Sequence, residues 1–313
     1  MKIHLTMEGQ AKKPMLSICI PIYNRLVFLE RMLERFVEDK LLFEGDIELI
    51  ISDNCSEEDL ESCIRKYQDA GLCITYFRQS ANLGPDKNFE TLFGMAKGKY
   101  FWLLGSDDIP VKGFLPKLLE VLRDTDYGLL HVKSYGELLD GKCTVYDDQN
   151  AFVEKVGYWI TFQSANIFRT EIISNVPVPD YEGTNLIQVP VFLTSAFSFS
   201  KNAVFEYDCY EKDNDTANNG GYNFFQVFVD NLFTIYGEFI QQGLLNARSF
   251  KRIKKIEYQE FIIPFTFKLY FHKKNRNLKV KKGKIILFKY YWNCPYAYWY
   301  FAKEFFDRII RHL

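Results

Sequence analysis

The sequence predicts an α/β protein built on a doubly wound, mostly parallel sheet. Short apolar runs of strand length alternate with amphipathic helical segments from Leu16 to Leu104. This alternation is typical of parallel strands joined by right-handed crossover helices. The runs are apolar throughout, as expected for strands that helices cover on both faces. Polar residues come directly after these runs, at the end of the strand where such sheets bind their ligands.

The first strand and helix open this pattern. Residues 16–22 form the strand, and Pro21 lies near its end, where the sheet can spare a backbone donor. Apolar residues at helical spacing, with charges between them, predict the first helix: Leu29, Met32, Leu33, Phe36 and Val37. Residues 47–52 form the second strand. Ser56 and Asp59 then predict a capping box for the second helix.

Two more strands continue the alternation. Residues 73–77 form the third strand, and the loop 82–85 follows it. Residues 100–104 form a fourth, wholly apolar strand, which is expected at the centre of the sheet. A helix comes next and is followed by a strand over residues 127–132, after which the alternation ends. Further on, residues 225–240 have the spacing of one long amphipathic helix.

Asp107 and Asp108 follow the fourth strand, and they are the most informative pair in the chain. Two adjacent acids are costly unless a positive charge neutralises them, and no basic residue adjoins them in the sequence. A divalent cation that also binds phosphate oxygens is the usual partner. The alternative is a polar turn that caps the next helix. Other polar residues after strands favour a nucleotide site on the same edge: Tyr23, Asn24, Asp53, Asn54 and Arg78.

Composition narrows the class of protein. The 313 residues are 48% hydrophobic and 25% charged, and the net charge of −1 gives no global field for nucleic acid. Seven cysteines and four histidines have no zinc-site spacing, so we expect buried thiols in a reducing compartment. No signal-peptide core opens the chain, and no apolar run has the length of a spanning helix. We therefore expect a cytoplasmic protein without a nucleic-acid partner.

The C-terminal region differs from the rest of the chain. Residues 261–303 contain no Asp or Glu, and aromatic residues interleave with basic ones there. The basic residues include Lys268, Lys273, Lys274, Arg276, Lys279, Lys281, Lys282, Lys284 and Lys289. This mixture suits an anionic membrane surface. The alternative is a solvated helical face whose aromatic residues pack in the core.

The ordered motifs of the first half resemble those of family 2 glycosyltransferases. They are Pro21-x-Tyr23-Asn24, Asp53-Asn54-x-Ser56, Asn82-x-Gly84, Asn88, Ala96-x-Gly98 and Gly105-Ser-Asp-Asp108. The ending Leu-Leu-Gly-x-Asp-Asp resembles the abequosyltransferase-like branch. The resemblance is detailed over residues 14–125 and looser over 160–240. It implies the A-type glycosyltransferase fold, a doubly wound mostly parallel sheet, here with a helical, basic and aromatic C-terminal extension.

The resemblance also implies roles for residues at the sheet edge. It assigns the nucleotide and sugar-phosphate side of the donor to Pro21, Tyr23, Arg25, Asp53, Asn82, Gly84, Lys87 and Asp107. Asp107 and Asp108 would hold a divalent metal, Mg²⁺ or Mn²⁺, together with the donor diphosphate. Such a cation neutralises the charge that develops on a diphosphate leaving group.

Two features depart from the family pattern. Gly105 occupies the position of the usual first acid of the metal motif, so metal contact rests on Asp107 and Asp108. The acidic pair that the family has downstream of its Arg element, here Arg169, has no counterpart near Gln188.

The second departure leaves the catalytic base to be found. Inverting transfer needs a general base within hydrogen-bond reach of the acceptor hydroxyl. The nearest acids are Asp180 and Glu182, and Glu182 is preferred because Gly183 permits a tight turn there. A solvated turn after Pro179 is the alternative for this pair.

Together with these observations, the resemblance implies a metal-dependent, inverting glycosyltransferase. It would move a sugar from a nucleotide-diphosphate donor to a glycan or lipid-linked acceptor in surface-polysaccharide (O-antigen or capsule-like) assembly. Residues 1–135 would form the nucleotide-sugar half and residues 136–220 the acceptor side. Residues 221–313 would form a helical region that holds the enzyme on the inner face of the cytoplasmic membrane. The alternative is a non-catalytic protein that binds a nucleotide or glycan on a degenerate glycosyltransferase fold.

Overall fold

The computed structural model describes residues 13–39, 45–135, 139–211, 221–271 and 278–311. Within these ranges an eight-stranded sheet has the order β3-β2-β1-β4-β7-β5-β8-β6. The strands are β1 (Leu16–Ile22), β2 (Ile47–Asp53), β3 (Ile74–Arg78), β4 (Tyr100–Leu103), β5 (Leu129–Lys133), β6 (Cys143–Tyr146), β7 (Asn166–Arg169) and β8 (Asn202–Glu206).

Helices connect and cover these strands. In the first half they are α1 (Leu26–Asp39), α2 (Leu60–Asp69), α3 (Pro85–Met95) and α4 (Phe114–Asp124). In the second half they are α5 (Gln149–Val156), α6 (Gln188–Ser198), α7 (Leu232–Gln241), α8 (Ala247–Glu257), α9 (Ile263–Phe271), α10 (Gly283–Tyr291) and α11 (Pro295–Arg311). The π-helical turns Gln226–Asn231 and Tyr258–Ile262 precede α7 and α9 respectively.

The sheet is mostly parallel, as the sequence predicts. β1 pairs in parallel with β2 and with β4, β2 pairs in parallel with β3, and β5 pairs in parallel with β8. β7 runs antiparallel between β4 and β5, and β6 runs antiparallel to β8. From β1 the chain adds β2 and β3 on one side, and it then crosses back to place β4 on the other side of β1. The strand order therefore reverses between β1 and β4, and the crevice between their ends is the topological switch point.

Both faces of the sheet are buried, which explains the continuous apolar runs in the sequence. One face carries Ile18 and Trp102 into a layer with α1, α2 and α4. The other face carries Cys19 and Phe101 into a layer with α3, α5, α6 and the C-terminal helices. On this second face, Phe101 and Phe168 pack with ring centroids 5.0 Å apart, which ties β4 to the antiparallel β7.

Some sequence predictions are corrected by the fold. The capping box is wrong: Asp59 itself caps α2 by accepting a hydrogen bond from Ser62 N–H, and Ser56 bonds to Asp53 instead. The long helix predicted over residues 225–240 divides into a π-helical turn and α7. β6, β7 and β8 have no counterpart in the predicted alternation. Lys273, Lys274 and Arg276 lie outside the described residues.

The C-terminal helices pack on the second half of the chain. α8 continues through the π-helical turn Tyr258–Ile262 into α9. α10 begins against Phe225, since a Cβ on Gly283 would lie 2.4 Å from that ring. Lys289 of α10 pairs with Asp230 at 2.6 Å. None of the helices in the described ranges combines the length and the apolar character needed to span a membrane.

Candidate active site

The acids that follow β4 meet the loop that follows β1. Arg25 places Nη1 2.6 Å from Asp107 Oδ1 and 3.3 Å from Ser106 Oγ. The side chains of Arg25 and Asp107 are 23% and 24% exposed, so this ion pair is open to a ligand. Because β1 and β4 are neighbours, the fold supplies a basic partner that is not adjacent to the acids in sequence. Arg25, Asp107 and Asp108 thus meet at the switch point of the sheet.

Asp108 has a more enclosed environment than Asp107. Ser164 Oγ donates a hydrogen bond to Asp108 Oδ2 at 2.5 Å, and the Asp108 backbone N–H donates to the Gly105 carbonyl at 3.0 Å. Burial raises the pKa of the Asp108 carboxyl to about 7, against the Ser164 hydrogen bond, and the charge of Asp107 adds to the rise. A positive charge beside Asp108 would therefore stabilise its ionised form.

The donor atoms at this edge fit a hard divalent cation. Carboxylate oxygens such as those of Asp107 and Asp108 are the ligands that Mg²⁺ and Mn²⁺ prefer. Across the described ranges there is no group of three or more His, Cys, Asp and Glu side chains that could hold a metal. A cation here would therefore need further ligands from donor phosphate and water, which is how Mg²⁺ sites with substrate phosphates are usually built.

Asp53, at the end of β2, is fully buried and accepts four hydrogen bonds. Ser56 donates to Oδ1 from its backbone N–H at 2.8 Å and from its hydroxyl at 2.6 Å. The Tyr76 phenol donates to Oδ2 at 2.8 Å, and Arg78 Nη1 pairs with the same oxygen at 2.6 Å. Burial, and to a smaller extent the hydrogen bond to Asp53, raises the pKa of Tyr76 to about 12. The Arg78 side chain is 42% exposed, so this arginine carries the Asp53 network to the surface.

Hydrogen bonds join the loops after β1 and β2. The Asn24 backbone N–H donates to Ser56 Oγ at 2.9 Å, and the Glu57 N–H donates to Asn24 Oδ1 at 2.7 Å. Asn24 has φ +50°, a left-handed conformation that asparagine tolerates better than most residues. Between these fixed points, Tyr23 is 40% exposed, while Pro21 is half-buried. An exposed ring at a sheet edge is available to stack on a ligand.

The loop after β3 is joined to the same edge. Asn54 Nδ2 donates to Asn82 Oδ1 at 2.8 Å, and Asn54 Oδ1 accepts the Leu83 N–H at 2.9 Å. Gly84, with φ +84°, begins α3 as its N-cap, where other residues would be strained. The first turn of α3 carries Lys87, which is 35% exposed. The predicted donor residues therefore collect along one edge.

The predicted base residues lie in a loop that packs on α3. Glu182 Oε2 pairs with Lys87 Nζ at 2.9 Å and is half-exposed, whereas Asp180 is exposed in a short 3₁₀ turn. The buried Asp86 fixes the loop by accepting the backbone N–H groups of Gly183 at 2.8 Å and Asn185 at 3.2 Å. Burial raises the pKa of Asp86, and these two hydrogen bonds oppose it. Glu182 thus lies beside Lys87, which is predicted to bind the donor.

Gln188 begins α6 and is almost fully buried. Its amide donates to the Thr161 carbonyl at 3.3 Å, while Oε1 has no hydrogen-bond partner within the described part of the chain. No acid takes the place of the missing family pair in this helix, which runs Gln-Val-Pro-Val-Phe-Leu-Thr-Ser-Ala-Phe-Ser.

Sequence reasoning missed two residues of the site. Ser164 contacts Asp108 from the turn before β7, and Asp86 holds the loop that carries Glu182. Ser164 has no sequence signal, because a lone serine before an unpredicted strand looks like any loop residue. Asp86 looked like an ordinary first-turn acid of a helix.

Solved structures with this architecture define its class. The fold matches S. aureus TarS in complex with UDP-GlcNAc with a TM-score of 0.61 at 15% identity, over 86% of this chain and 77% of that one. It also matches the mannosyltransferase PcManGT from Pyrobaculum calidifontis in complex with GDP-Man and Mn²⁺, with a TM-score of 0.55 at 14% identity, over 92% and 84% of the two chains. The A-type glycosyltransferase fold is confirmed.

Sequence comparison gives the family. The model of glycosyl transferase family 2 matches residues 17–175, which are 159 of the 313 residues. The chain belongs to glycosyl transferase family 2, as its motifs predict.

Two curated relatives refine the comparison. Abequosyltransferase RfbV of Salmonella typhimurium is 41% identical over 102 residues, which are 32% of this chain and 30% of that protein. This match confirms the resemblance to the abequosyltransferase-like branch. GalNAc(5)-diNAcBac-PP-undecaprenol beta-1,3-glucosyltransferase of Campylobacter jejuni is 30% identical over 120 residues, 38% of this chain and 37% of that protein. The aligned segments thus span about a third of each relative's length.

Proposed function

We propose that this protein is a glycosyltransferase that uses a nucleotide-diphosphate sugar and extends a surface polysaccharide of the O-antigen or capsule type. The observation that carries the proposal is the meeting of Arg25, Asp107 and Asp108 at the switch point of an A-type fold. Opposite charges that are partly exposed at this place suit an anionic ligand bound through a cation. The acceptor would be a glycan or a lipid-linked saccharide, in keeping with the undecaprenol-linked substrate in the name of one relative.

Asp107 and Asp108 would hold Mg²⁺ or Mn²⁺ with the donor diphosphate. When bound, the cation would neutralise the charge on the leaving group. Arg25, which now pairs with Asp107, is a second positive group within reach of the same phosphates. The Mn²⁺ present with GDP-Man in PcManGT supports a divalent metal in a protein of this fold.

Asp53 and Arg78 would bind the nucleoside end of the donor. The Asp53 carboxylate is already satisfied by protein donors, so direct contact with a base or ribose requires one donor to move. Arg78 is the exposed member of that set and the one that can move with least loss of packing. Tyr23, Asn82, Gly84 and Lys87 complete the donor edge.

The base of an inverting transfer would come from the loop that carries Asp180 and Glu182. Glu182 is the stronger candidate because Asp86 fixes the following backbone and Lys87 holds its carboxylate. The ion pair with Lys87 orients the Glu182 carboxylate beside the donor edge, where a base would have to accept the proton of the acceptor hydroxyl. On this proposal, residues 136–220 form the acceptor side and residues 1–135 the donor side.

Calorimetric titration tests the donor proposal. The protein is titrated with UDP, GDP, CDP and dTDP, each with and without Mn²⁺. One nucleotide should bind tightest, and its affinity should fall when EDTA removes the metal. Binding that EDTA does not change would contradict the metal role, and binding of none of the four would contradict the donor class.

A non-catalytic nucleotide- or glycan-binding protein is the second candidate. Gly105 in place of the usual acid, and the lack of an acid around Gln188 in α6, favour it. In that case the nucleotide sugar binds, but no hydrolysis or transfer is detected with any lipid-linked acceptor. Transfer to an acceptor would exclude this candidate.

We also propose that the C-terminal helices hold the enzyme on an anionic membrane surface. Eight large side chains there are 41–68% exposed: Ile285, Phe288, Trp292, Tyr298, Trp299, Phe301, Phe305 and Phe306. We call this set the aromatic face. The core interpretation applies instead to Phe267 and Tyr291, which are buried. All eight lie within residues 285–306, and a contiguous exposed apolar patch usually marks an interaction site.

The charges around the aromatic face favour a lipid surface. Lys281, Lys282 and Lys284 are exposed at the start of α10, and Lys303 lies over the Trp299 ring at 5.6 Å. Cations beside amphipathic rings are the usual composition of a helix that lies in an anionic interface. The seven cysteines are all free thiols, in keeping with the reducing, cytoplasmic side of the membrane.

Co-sedimentation with liposomes tests the membrane proposal. Phe288→Ser combined with Trp299→Ser should lower binding to vesicles that contain anionic lipid by about a hundredfold or more, because each buried ring contributes about 1.5–3 kcal/mol and about 1.4 kcal/mol is a factor of ten. Val145→Ser, which changes an exposed side chain of β6, is the matched control and should bind like the wild type. Binding should weaken as salt rises. Equal binding to neutral and anionic vesicles, or no binding at low salt, would contradict the proposal.

A further inference from the structure

The carboxyl of Asp108 is held by a residue from the second half of the chain. Ser164 is fully buried in the short turn Gln163–Ala165, directly before β7. Its Oγ accepts the Gly105 N–H at 2.8 Å and donates to Asp108 Oδ2 at 2.5 Å. Because a backbone N–H can only donate and an ionised carboxylate can only accept, the direction of both hydrogen bonds is defined when Asp108 is ionised.

Ser164 is itself held on two sides through its carbonyl. Trp102 Nε1 donates to the Ser164 carbonyl at 2.7 Å, and the Tyr210 phenol donates to the same oxygen. Trp102 is fully buried in β4, whereas Tyr210 follows β8 and forms a bridge with Pro110, two residues after Asp108. The turn that carries Ser164 is therefore fixed against the strand before the acids and the segment after them.

Gly105 provides the space for this contact. A Cβ at this position would lie 2.5 Å from Asp108 Oδ2 and 3.2 Å from Ser164 Oγ. Any side chain there would displace the carboxylate or the serine. An acid at position 105, as the family usually has, is incompatible with the contact between Ser164 and Asp108.

We propose that Ser164 is a positioning residue for the metal-binding acid. It commits Asp108 Oδ2 to the protein and leaves Oδ1 as the oxygen for a divalent cation. Gly105 and Ser164 together replace the first acid of the family motif: the chain gives up one carboxylate and gains a fixed orientation of another. This inference rests on the proposed metal-dependent function.

Mn²⁺ binding by the full chain tests the inference. The concentration of free Mn²⁺ is followed by its electron paramagnetic resonance signal, with Mn²⁺ alone and with UDP, GDP, CDP or dTDP in turn. Ser164→Ala should weaken Mn²⁺ affinity by about 10- to 100-fold, the usual effect of losing a residue that orients a metal ligand. Gly105→Ala should weaken it as much, because its methyl group displaces Asp108.

Ser195→Ala is the matched control. Ser195 is equally buried, accepts the Arg169 N–H at 3.3 Å and donates to the Gly128 carbonyl at 2.7 Å, but does not contact the acids. This control should lose stability and keep the wild-type Mn²⁺ affinity. Ser164→Thr keeps the hydroxyl and, if it folds, should bind Mn²⁺ more tightly than Ser164→Ala.

The outcomes separate this inference from the proposed function. Wild-type protein that binds Mn²⁺, together with Ser164→Ala and Gly105→Ala proteins of unchanged affinity, would overturn the positioning role and leave the metal-dependent enzyme standing. Wild-type protein that binds no Mn²⁺ with or without a nucleotide would overturn both. Equal losses in Ser164→Ala and Ser195→Ala would show that burial, rather than orientation of Asp108, sets the affinity, and would also overturn the positioning role.

Discussion

Asp53 and Glu257 are both fully buried carboxyl groups, and they show how the sheet edge differs from the C-terminal helices. Asp53 accepts four hydrogen bonds, one of them from an arginine. Glu257, at the end of α8, has neither oxygen paired with any described residue, and burial raises its pKa well above the ordinary value. The buried acid of the sheet edge has a cationic partner and a full set of hydrogen-bond donors, whereas the buried acid of the helical region has neither among the described residues.

The difference extends to the surroundings of these residues. Around the sheet edge, loops after β1, β2 and β3 are joined by side-chain hydrogen bonds that fix the direction of each polar group. Around α10 and α11, the aromatic face has large exposed rings with lysines beside them. The first arrangement suits a ligand recognised atom by atom. The second suits a broad surface that needs no fixed geometry, such as a lipid interface.

The largest expected effect comes from the acids at the switch point. Asp108→Ala and Asp107→Asn should each abolish sugar transfer and weaken metal-dependent nucleotide binding, because the leaving group loses its neutralising cation. Asp69→Asn, at the exposed end of α2, should leave both unchanged. Transfer assays and calorimetry with and without EDTA measure the effect. Transfer that survives both substitutions would mean that this protein uses a metal-independent mechanism.

The second-largest effect is expected in the loop that packs on α3 and carries the two candidate bases. Glu182→Gln should lower kcat by about 10²- to 10⁴-fold if it is the general base, with little change in donor affinity. Asp180→Asn is the comparison in the same loop. Wild-type kcat in one variant excludes that residue as the base. Wild-type kcat in both would direct the search to Asp147 and Asp148, since residues 213–215 lie outside the described part.

A smaller effect is expected at Asp53. Asp53→Ala should raise the donor KM by about 10- to 100-fold, since hydrogen bonds to a charged group are worth about 1.5–3 kcal/mol each. Its metal preference should not change. Arg78→Gln removes the exposed partner and separates the role of the network from that of the carboxylate. Calorimetry that gives unaltered nucleotide affinity for Asp53→Ala would refute the assignment.

The smallest effect concerns Glu257 and the pH dependence of stability. The pKa of Glu257 is raised in the folded state, whereas in the unfolded chain it has the ordinary glutamate value of 4.5. The folded state therefore binds the proton more tightly than the unfolded chain. The stability that this proton contributes is fully present below that ordinary value and is lost as pH rises through the raised pKa. The groups that face Glu257 include the phenols of Tyr236 on α7 and Tyr291 on α10, whose pKa values burial and then the charge of Glu257 raise.

Replacing Glu257 therefore has a pH-dependent result. Glu257→Met, of similar length, should stabilise the fold by about 1–3 kcal/mol at pH 8, the usual cost of an unsatisfied buried polar group. The gain should shrink towards pH 5. Urea unfolding across this range measures it, with Glu206→Gln, a β8 acid paired with Lys133, as the control. A gain that is constant with pH would mean that Glu257 does not change its protonation between the two states.

The sequence by itself determined the parallel half of the sheet and the edge that carries the polar residues. Apolar runs such as residues 16–22 are buried on both faces, and residues that directly follow parallel strands must share one edge. Asp53, Asp107 and Asp108 could be located in this way because their position depends only on the strand before them. The family motifs, which occur in these loops in the family's order, then connected the loops with one site.

Only the tertiary structure decided which groups touch. Arg25 reaches Asp107 because β1 and β4 are neighbours, and Ser164 reaches Asp108 because β7 inserts antiparallel between β4 and β5. The same holds for the C-terminal aromatics: composition alone left both the core and the surface open, and the packing of α10 and α11 divided them between the two. Local patterns specify strands and helices, whereas partners depend on contacts between residues distant in sequence, for which no local signal exists.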